Sequence, residues 1–133
     1  MAAVLGSASV SIDYGSFEFV LEHASRGDLF YFDPPYAPVS ATANFTSYTA
    51  CGFADNDQRR LRDVAVELAQ RGCHVIVSNS TAPMIEELYE RGRTARRAGL
   101  RTYRVDARRA INSNASLRGK VTEFIISNVT PTA

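Results

Sequence analysis

Two short runs of consecutive apolar residues constrain this chain more than any other feature. Leu29-Phe30-Tyr31-Phe32 and Cys73-His74-Val75-Ile76-Val77 are brief and do not alternate. Such runs read as strands covered on both faces of a sheet. Between them lies a helical signature. Asp55-x-x-Gln58 resembles a capping box. Leu61, Val64, Ala65, Leu68 and Ala69 then fall on one face, with Arg59, Arg60, Asp63, Glu67 and Gln70 opposite, and Gly72 ends the pattern. A strand, a crossover helix and a second strand predict a parallel pair.

The flanks extend this unit. Val10, Ile12 and Tyr14 alternate, a weak strand signal. Ser16 fits an N-cap for a helix whose apolar face is Phe17, Val20, Leu21 and Ala24, with Gly27 as its stop. Met84, Ile85, Leu88 and Tyr89 give a helix over about 82–91. Residues 100–105 alternate and 121–128 hold Phe124, Ile125 and Ile126, so both read as strands. Residues 37–54 have no clean period and read as a long connection, functional or mobile. The fold class is therefore α/β, with parallel strands and helices on the sheet faces. In such sheets ligands bind at the carboxyl ends of the strands. Asp33-Pro34-Pro35-Tyr36 and Ser78-Asn79-Ser80 follow the two apolar runs and are predicted to share that edge.

Composition sets the outer bounds. The chain has 133 residues, 45% hydrophobic and 22% charged, one domain's worth with the balance of a folded protein. No apolar run approaches the roughly 18 residues needed to span a bilayer, so no membrane partner is expected. The net charge of +1 hides an asymmetry: residues 1–57 carry one Arg and seven acids, while 58–133 carry 13 Arg and one Lys against seven acids. Eight Arg stand within 91–109 beside the single acid Asp106. Such a run is either a solvated basic surface or a contact for nucleic acid. Cys51 and Cys73 lack a CxxC spacing, and the N-terminus lacks a signal-peptide pattern, so a cytoplasmic location with reduced thiols is expected. The four N-x-S/T triplets then carry no meaning. Two His and no Cys cluster offer no metal site.

The chemistry concentrates in Asp33-Pro34-Pro35-Tyr36. Two prolines fix φ and remove two backbone donors, and each pushes its predecessor toward extended backbone. The product is a rigid elbow that holds a carboxylate, a free carbonyl and an aromatic ring. An exocyclic amine requires such a site: Asp33 and the Pro34 carbonyl accept its two protons, and Tyr36 stacks on the ring, as flipped bases are held. A chance occurrence of the tetrapeptide in a chain this long is on the order of 10⁻³, so a mere strand-ending turn is the weaker explanation.

The sequence resembles the Dam-type, or D12 class, DNA N6-adenine methyltransferases. The resemblance runs over Gly27-Asp28 and residues 29–36 with Pro38, then Phe45, Tyr48, Phe53, Asp57-Gln58 and Leu61. It continues through Gly72, residues 75–79, Arg109-x-Ile111, Arg118, Val121 and Glu123. It implies methyl transfer from S-adenosylmethionine to N6 of a flipped adenine in double-stranded DNA. Asp33, Pro34 and Tyr36 would be catalytic, and Asp33 would also reach the cofactor. The implied fold is half of a Rossmann-like methyltransferase sheet with an antiparallel C-terminal strand pair.

The family is about twice this length, with a Phe-x-Gly-x-Gly cofactor loop and a target-recognition domain before the catalytic strand. No two glycines here stand two apart. Residues 1–133 are thus expected to be the C-terminal catalytic part, without the cofactor-binding part and the recognition domain, and inactive alone. The alternative is a non-enzymatic remnant that binds DNA or dimerises. The strand at 29–32 would then be an open edge, and self-association through it, or completion by a missing N-terminal half, is expected. Other residues carry double readings. Phe45, Tyr48 and Phe53 line the site or form satellite core. Asn79 orders the elbow through its amide or is structural. His74 is structural. Arg109 and Arg118 contact phosphate or pair with Glu123.

Overall fold

The computed structural model describes residues 9–40, 52–108 and 119–132. Its elements run in the expected order. A 3₁₀ turn over Phe17–Phe19 leads into α1 (Val20–His23), followed by β1 (Leu29–Phe32), α2 (Asp55–Gln70) and β2 (His74–Ser80). Then come α3 (Pro83–Ile85) with its π-helical continuation Glu86–Glu90, α4 (Arg93–Arg97), β3 (Arg101–Arg108) and β4 (Lys120–Ser127). The four strands form one mixed sheet in the order β1-β2-β4-β3. β1 and β2 are parallel, with Phe32 opposite Val77, whereas β4 lies antiparallel to both β2 and β3. The α/β class and the antiparallel C-terminal pair are as the sequence predicts.

The core lies on one face of this sheet. Val75, Val77, Phe124 and Ile126 are fully buried against Leu61, Val64, Ala65 and Leu68 of α2 and against Ile85 and Tyr89. The opposite face differs from expectation. The run at 29–32 was expected to be covered on both sides, but Leu29 and Tyr31 are 62% and 61% exposed. β1 is the edge strand of the described sheet, and its second face lacks the packing that a central strand receives. Val105 is exposed on the same face, and Ile76, Tyr103 and Ile125 are partly so.

Several local expectations also shift. Val10, Ile12 and Tyr14 form no strand; Ile12 and Tyr14 stand exposed, and no strand among the described residues pairs with them. The Ser16 hydroxyl does accept from the Glu18 amide, but the helix ends at His23. Gly27, at φ +91°, instead places its N–H on the Gly72 carbonyl, at 3.0 Å. The N-cap of α2 is Ala54, not Asp55, and the Asp57 carboxylate accepts from the Ala54 amide at 2.8 Å. The stop at Gly72 (φ +86°) holds: the Cys73 amide returns to the Leu68 carbonyl and the Gly72 amide to Ala69, a Schellman closure. The helix expected over 82–91 tightens into α3 and widens into the π turn. There the Arg91 amide reaches the Glu86 carbonyl five residues back. Gly92 follows because a Cβ there would lie 2.1 Å from the Leu88 carbonyl oxygen.

Candidate active site

The parallel register brings the two polar clusters together. Phe32 faces Val77, so Asp33 emerges beside Ser78 at the carboxyl ends of β1 and β2. The Ser78 hydroxyl donates to Asp33 Oδ1 at 2.8 Å and accepts from the Tyr31 hydroxyl at 3.4 Å. Ser78 is 2% exposed, whereas Asp33 is exposed. A buried hydroxyl thus orients one oxygen of the carboxylate, and the other oxygen keeps its acceptor capacity. Among the described residues, the Pro34 carbonyl is given no hydrogen-bond donor. Asp33 and Pro34, the residues expected to supply the two acceptors, follow β1 directly at its carboxyl end.

The backbone on either side of Tyr36 is held from below. Gln58 Nε2 donates to the Pro35 carbonyl at 2.9 Å. Asn79 Oδ1 accepts from the Ala37 amide at 3.1 Å, and Asn79 Nδ2 donates to Gln58 Oε1 at 3.0 Å. Ser80 donates its hydroxyl to the Ala37 carbonyl and its amide to Asn79 Oδ1. Gln58 and Asn79 are both fully buried. A buried amide left without partners costs about 1–3 kcal/mol, so such groups occur where every bond is made.

The Tyr36 ring is half-buried, and its hydroxyl donates to Glu123 Oε2 of β4 at 3.2 Å. Partial burial raises the phenol's pKa above its ordinary value, against the Ser78 hydroxyl and reinforced by the Glu123 carboxylate. Tyr36 therefore stays a neutral donor through the physiological range. Glu123, which the sequence offered as a partner for arginine, serves this tyrosine.

A cavity of about 180 Å³ opens beside the carboxylate, lined by Phe17, Tyr31, Phe32, Asp33, Pro34, Phe53 and Leu61. Phe53 packs against the core and on Phe17, with ring centroids 5.9 Å apart, and also lines this cavity. His74 is an exposed strand-start residue whose amide donates to the Asp28 carbonyl. Cys73 is a buried free thiol whose Sγ donates to the Ser25 carbonyl. Phe45, Tyr48, Cys51, Arg109 and Arg118 lie outside the described residues, as do positions 41–51 of the long connection. Among the described residues, no group of three or more His, Cys, Asp or Glu could hold a metal. None of their helices is long and apolar enough to cross a membrane.

The basic run does not form one surface at this site. Arg93, Arg96 and Arg97 are exposed on α4, a helix the sequence reading did not include. Arg101 follows and donates to the Arg96 and Leu100 carbonyls. Its register partner is Ser127, which faces Ile76 near the start of β2. These arginines therefore stand at the end of the sheet away from Asp33. β3 then runs about 23 Å, at roughly 3.3 Å per residue, to Arg108 opposite Lys120 at the elbow end. Midway, Arg104 forms a two-pronged pair with Glu90.

Sequence reading gave Gln58 and Ser78 no role in the site, although it placed Ser78 in the polar cluster expected at the same sheet edge. Gln58 was absorbed into the capping signal of α2. Ser78 reads as one of several polar residues at a strand end. The contact of Ser78 with Asp33 follows from the parallel register of β1 on β2, and that of Gln58 with Pro35 from the packing of α2 beside the elbow.

The family model described as D12 class N6 adenine-specific DNA methyltransferase matches residues 1–111. The chain is 42% identical over 124 residues to the type II methyltransferase M1.LlaDCHI of Lactococcus lactis subsp. cremoris, covering 93% of this chain and 41% of that protein. It is 37% identical over 122 residues to the type II methyltransferase M.MjaIII of Methanocaldococcus jannaschii, covering 90% of this chain and 39% of the other. It is 36% identical over 110 residues to the DNA adenine methylase of Escherichia coli, covering 83% and 37%. The chain thus spans about two-fifths of the length of these relatives.

Proposed function

The chain belongs to the D12 class of N6 adenine-specific DNA methyltransferases, and we propose that it carries the base-holding part of an adenine-N6 methyl-transfer site on DNA. The observation that carries this reading is the Asp33–Pro34 acceptor pair at the strand ends, with Ser78 holding one carboxylate oxygen. An adenine amine has two N–H protons. Asp33 Oδ2 and the Pro34 carbonyl accept one each, which directs the nitrogen lone pair away from the ring. Tyr36 offers its ring to the base, and the hydrogen bond to Glu123 fixes that ring's tilt. Reaching the site requires the adenine to leave the duplex stack. S-adenosylmethionine, when bound, supplies the sulfonium methyl. Asp33 and the small cavity lined by Phe17, Tyr31 and Phe53 fit contact with part of such a cofactor, and Asp33 is the residue assigned to it here. The contribution of these residues is positioning and directed hydrogen bonding, with no covalent step on the protein.

The test is transfer of a labelled methyl group from S-adenosylmethionine to adenine in mixed-sequence duplex DNA, by the chain completed with the N-terminal part of a D12-class relative. Asp33→Ala abolishes transfer with the fold retained; full activity in that variant overturns the assignment.

A second feature bears on how the site is completed. β1 is an edge strand with Leu29 and Tyr31 exposed, and an apolar edge recruits another strand. The partner proposed is a second copy of this chain, pairing β1 with β1 about a two-fold axis. Light scattering on the purified chain checks it. A monomer at high concentration overturns self-association and directs the search to a different polypeptide.

A further inference from the structure

We infer that Gln58 and Asn79 are positioning residues for Tyr36, and that they act as a one-way relay of amide hydrogen bonds. The inference rests on the reading that Tyr36 meets the target base. The polarity of the relay is fixed at both ends by backbone groups that have no choice. The Ala37 and Ser80 amides only donate, so Asn79 must present Oδ1 to them, at 3.1 and 2.9 Å. The Pro35 carbonyl only accepts, so Gln58 must present Nε2 to it, at 2.9 Å. What remains is Asn79 Nδ2 facing Gln58 Oε1 at 3.0 Å, a donor meeting an acceptor. Turning Gln58 over would set like groups against each other at two points, and turning Asn79 over at three.

The two ends of the relay hold the residues immediately before and after Tyr36. Pro35 cannot be tied through its own nitrogen, which carries no proton. Its carbonyl is the peptide group that leads into Tyr36, and Gln58 secures it. Asn79 secures the amide that leads out. Both side chains are fully buried, so water does not compete for these bonds. The relay therefore sets the backbone plane from which the Tyr36 ring projects. Glu123 determines only the position of the ring's far end.

A relay of this polarity makes a distinctive prediction for Gln58→Glu. A carboxylate can accept from Asn79 but offers nothing to Pro35, whose carbonyl then faces a second acceptor. Protonation restores the missing donor, and burial favours the protonated form. The experiment follows the Tyr36 ring resonances and the Ala37 amide exchange rate in the whole chain across pH, with no DNA or cofactor. In Gln58→Glu the ring resonances are displaced, and Ala37 exchanges at least about tenfold faster. Measured against wild type at the same pH, which removes effects of the Glu123 and Asp33 carboxylates beside Tyr36 common to both chains, both differences shrink as pH falls. Gln58→Met fills the same space without a donor. It shows the displaced resonances at every pH and decides the matter if the Glu variant does not fold.

Wild-type Tyr36 resonances and Ala37 exchange in Gln58→Met would overturn the inference, because Gln58 would then only fill the core. A folded Gln58→Glu without pH dependence would do the same. Because these measurements involve no substrate, their failure is separate from a failure of methyl transfer by the chain completed with an N-terminal half, which would sink the functional reading instead.

Discussion

The two ends of the sheet use polar residues in opposite ways. At the elbow end, Gln58, Ser78 and Asn79 are uncharged, at most 2% exposed, and bonded to specific backbone or carboxylate atoms. At the other end, Arg93, Arg96 and Arg97 carry full charges into solvent on a five-residue helix. Burial makes each bond in the first group directional and costly to lose. Solvent screens the second group, so its residues are individually replaceable. A site that must hold an elbow to within fractions of an ångström is built from the first kind. The basic run of the sequence is divided between the two ends, with Arg93, Arg96 and Arg97 on α4 and Arg108 opposite Lys120 at the elbow end.

The comparison breaks most visibly at Asn79. Asn79→Leu orphans the Ala37 and Ser80 amides and one end of Gln58, and is expected to cost about 3 kcal/mol. Denaturant unfolding measures it; a loss below about 1 kcal/mol would show that the network carries little of the fold. Gly92→Ala comes next. Its Cβ would press on the Leu88 carbonyl at 2.1 Å, so the π turn must shift, at about 1–3 kcal/mol. A variant as stable as wild type would mean that this turn yields freely.

At the charged end the effects shrink. Replacing Arg93, Arg96 and Arg97 together by Gln is expected to change stability by less than about 0.5 kcal/mol. Methyl transfer to DNA should stay within about twofold, because these arginines stand away from Asp33. A tenfold rise in KM for DNA would bring that end into the DNA contact.

The smallest change concerns Glu90. The Arg104 hydrogen bond lowers its carboxyl pKa. A lowered folded pKa gives stability that is present above the ordinary carboxylate range and is lost as pH falls through the folded value. Glu90→Gln should therefore be slightly less stable than wild type at neutral pH and equal to it in strong acid. A gap that persists in acid would assign the loss to packing instead of charge.

Much of the fold was legible because local patterns agreed with each other. The period of Leu61, Val64, Ala65 and Leu68 and the Gly72 stop placed α2 to within a residue. The apolar runs placed β1 and β2. Failures came where one local signal served two purposes. Gln58 has the spacing of a capping residue and was read as one, but it is wholly buried and bonded to Pro35. Leu29 and Tyr31 look like residues of a central strand, yet whether a strand is central depends on what packs beside it. The short helix Arg93–Arg97 was hidden inside the basic run, because its single buried position, Ala95, leaves almost no amphipathic signal.

The sequence alone therefore determined the class of fold, the order of its elements, and the tetrapeptide in which a carboxylate, a carbonyl and a ring are covalently tied together. These follow from periodicity and from proline's fixed geometry, which act over a few residues. The tertiary structure decided between the two readings of Asn79 and alone showed that Ser78 and Gln58 hold that tetrapeptide. Ser78, Asn79 and Gln58 lie 45, 42 and 23 residues from the atoms they bind. A hydrogen bond acts over about 3 Å, and only the parallel register of β1 on β2, with α2 packed across them, closes those separations.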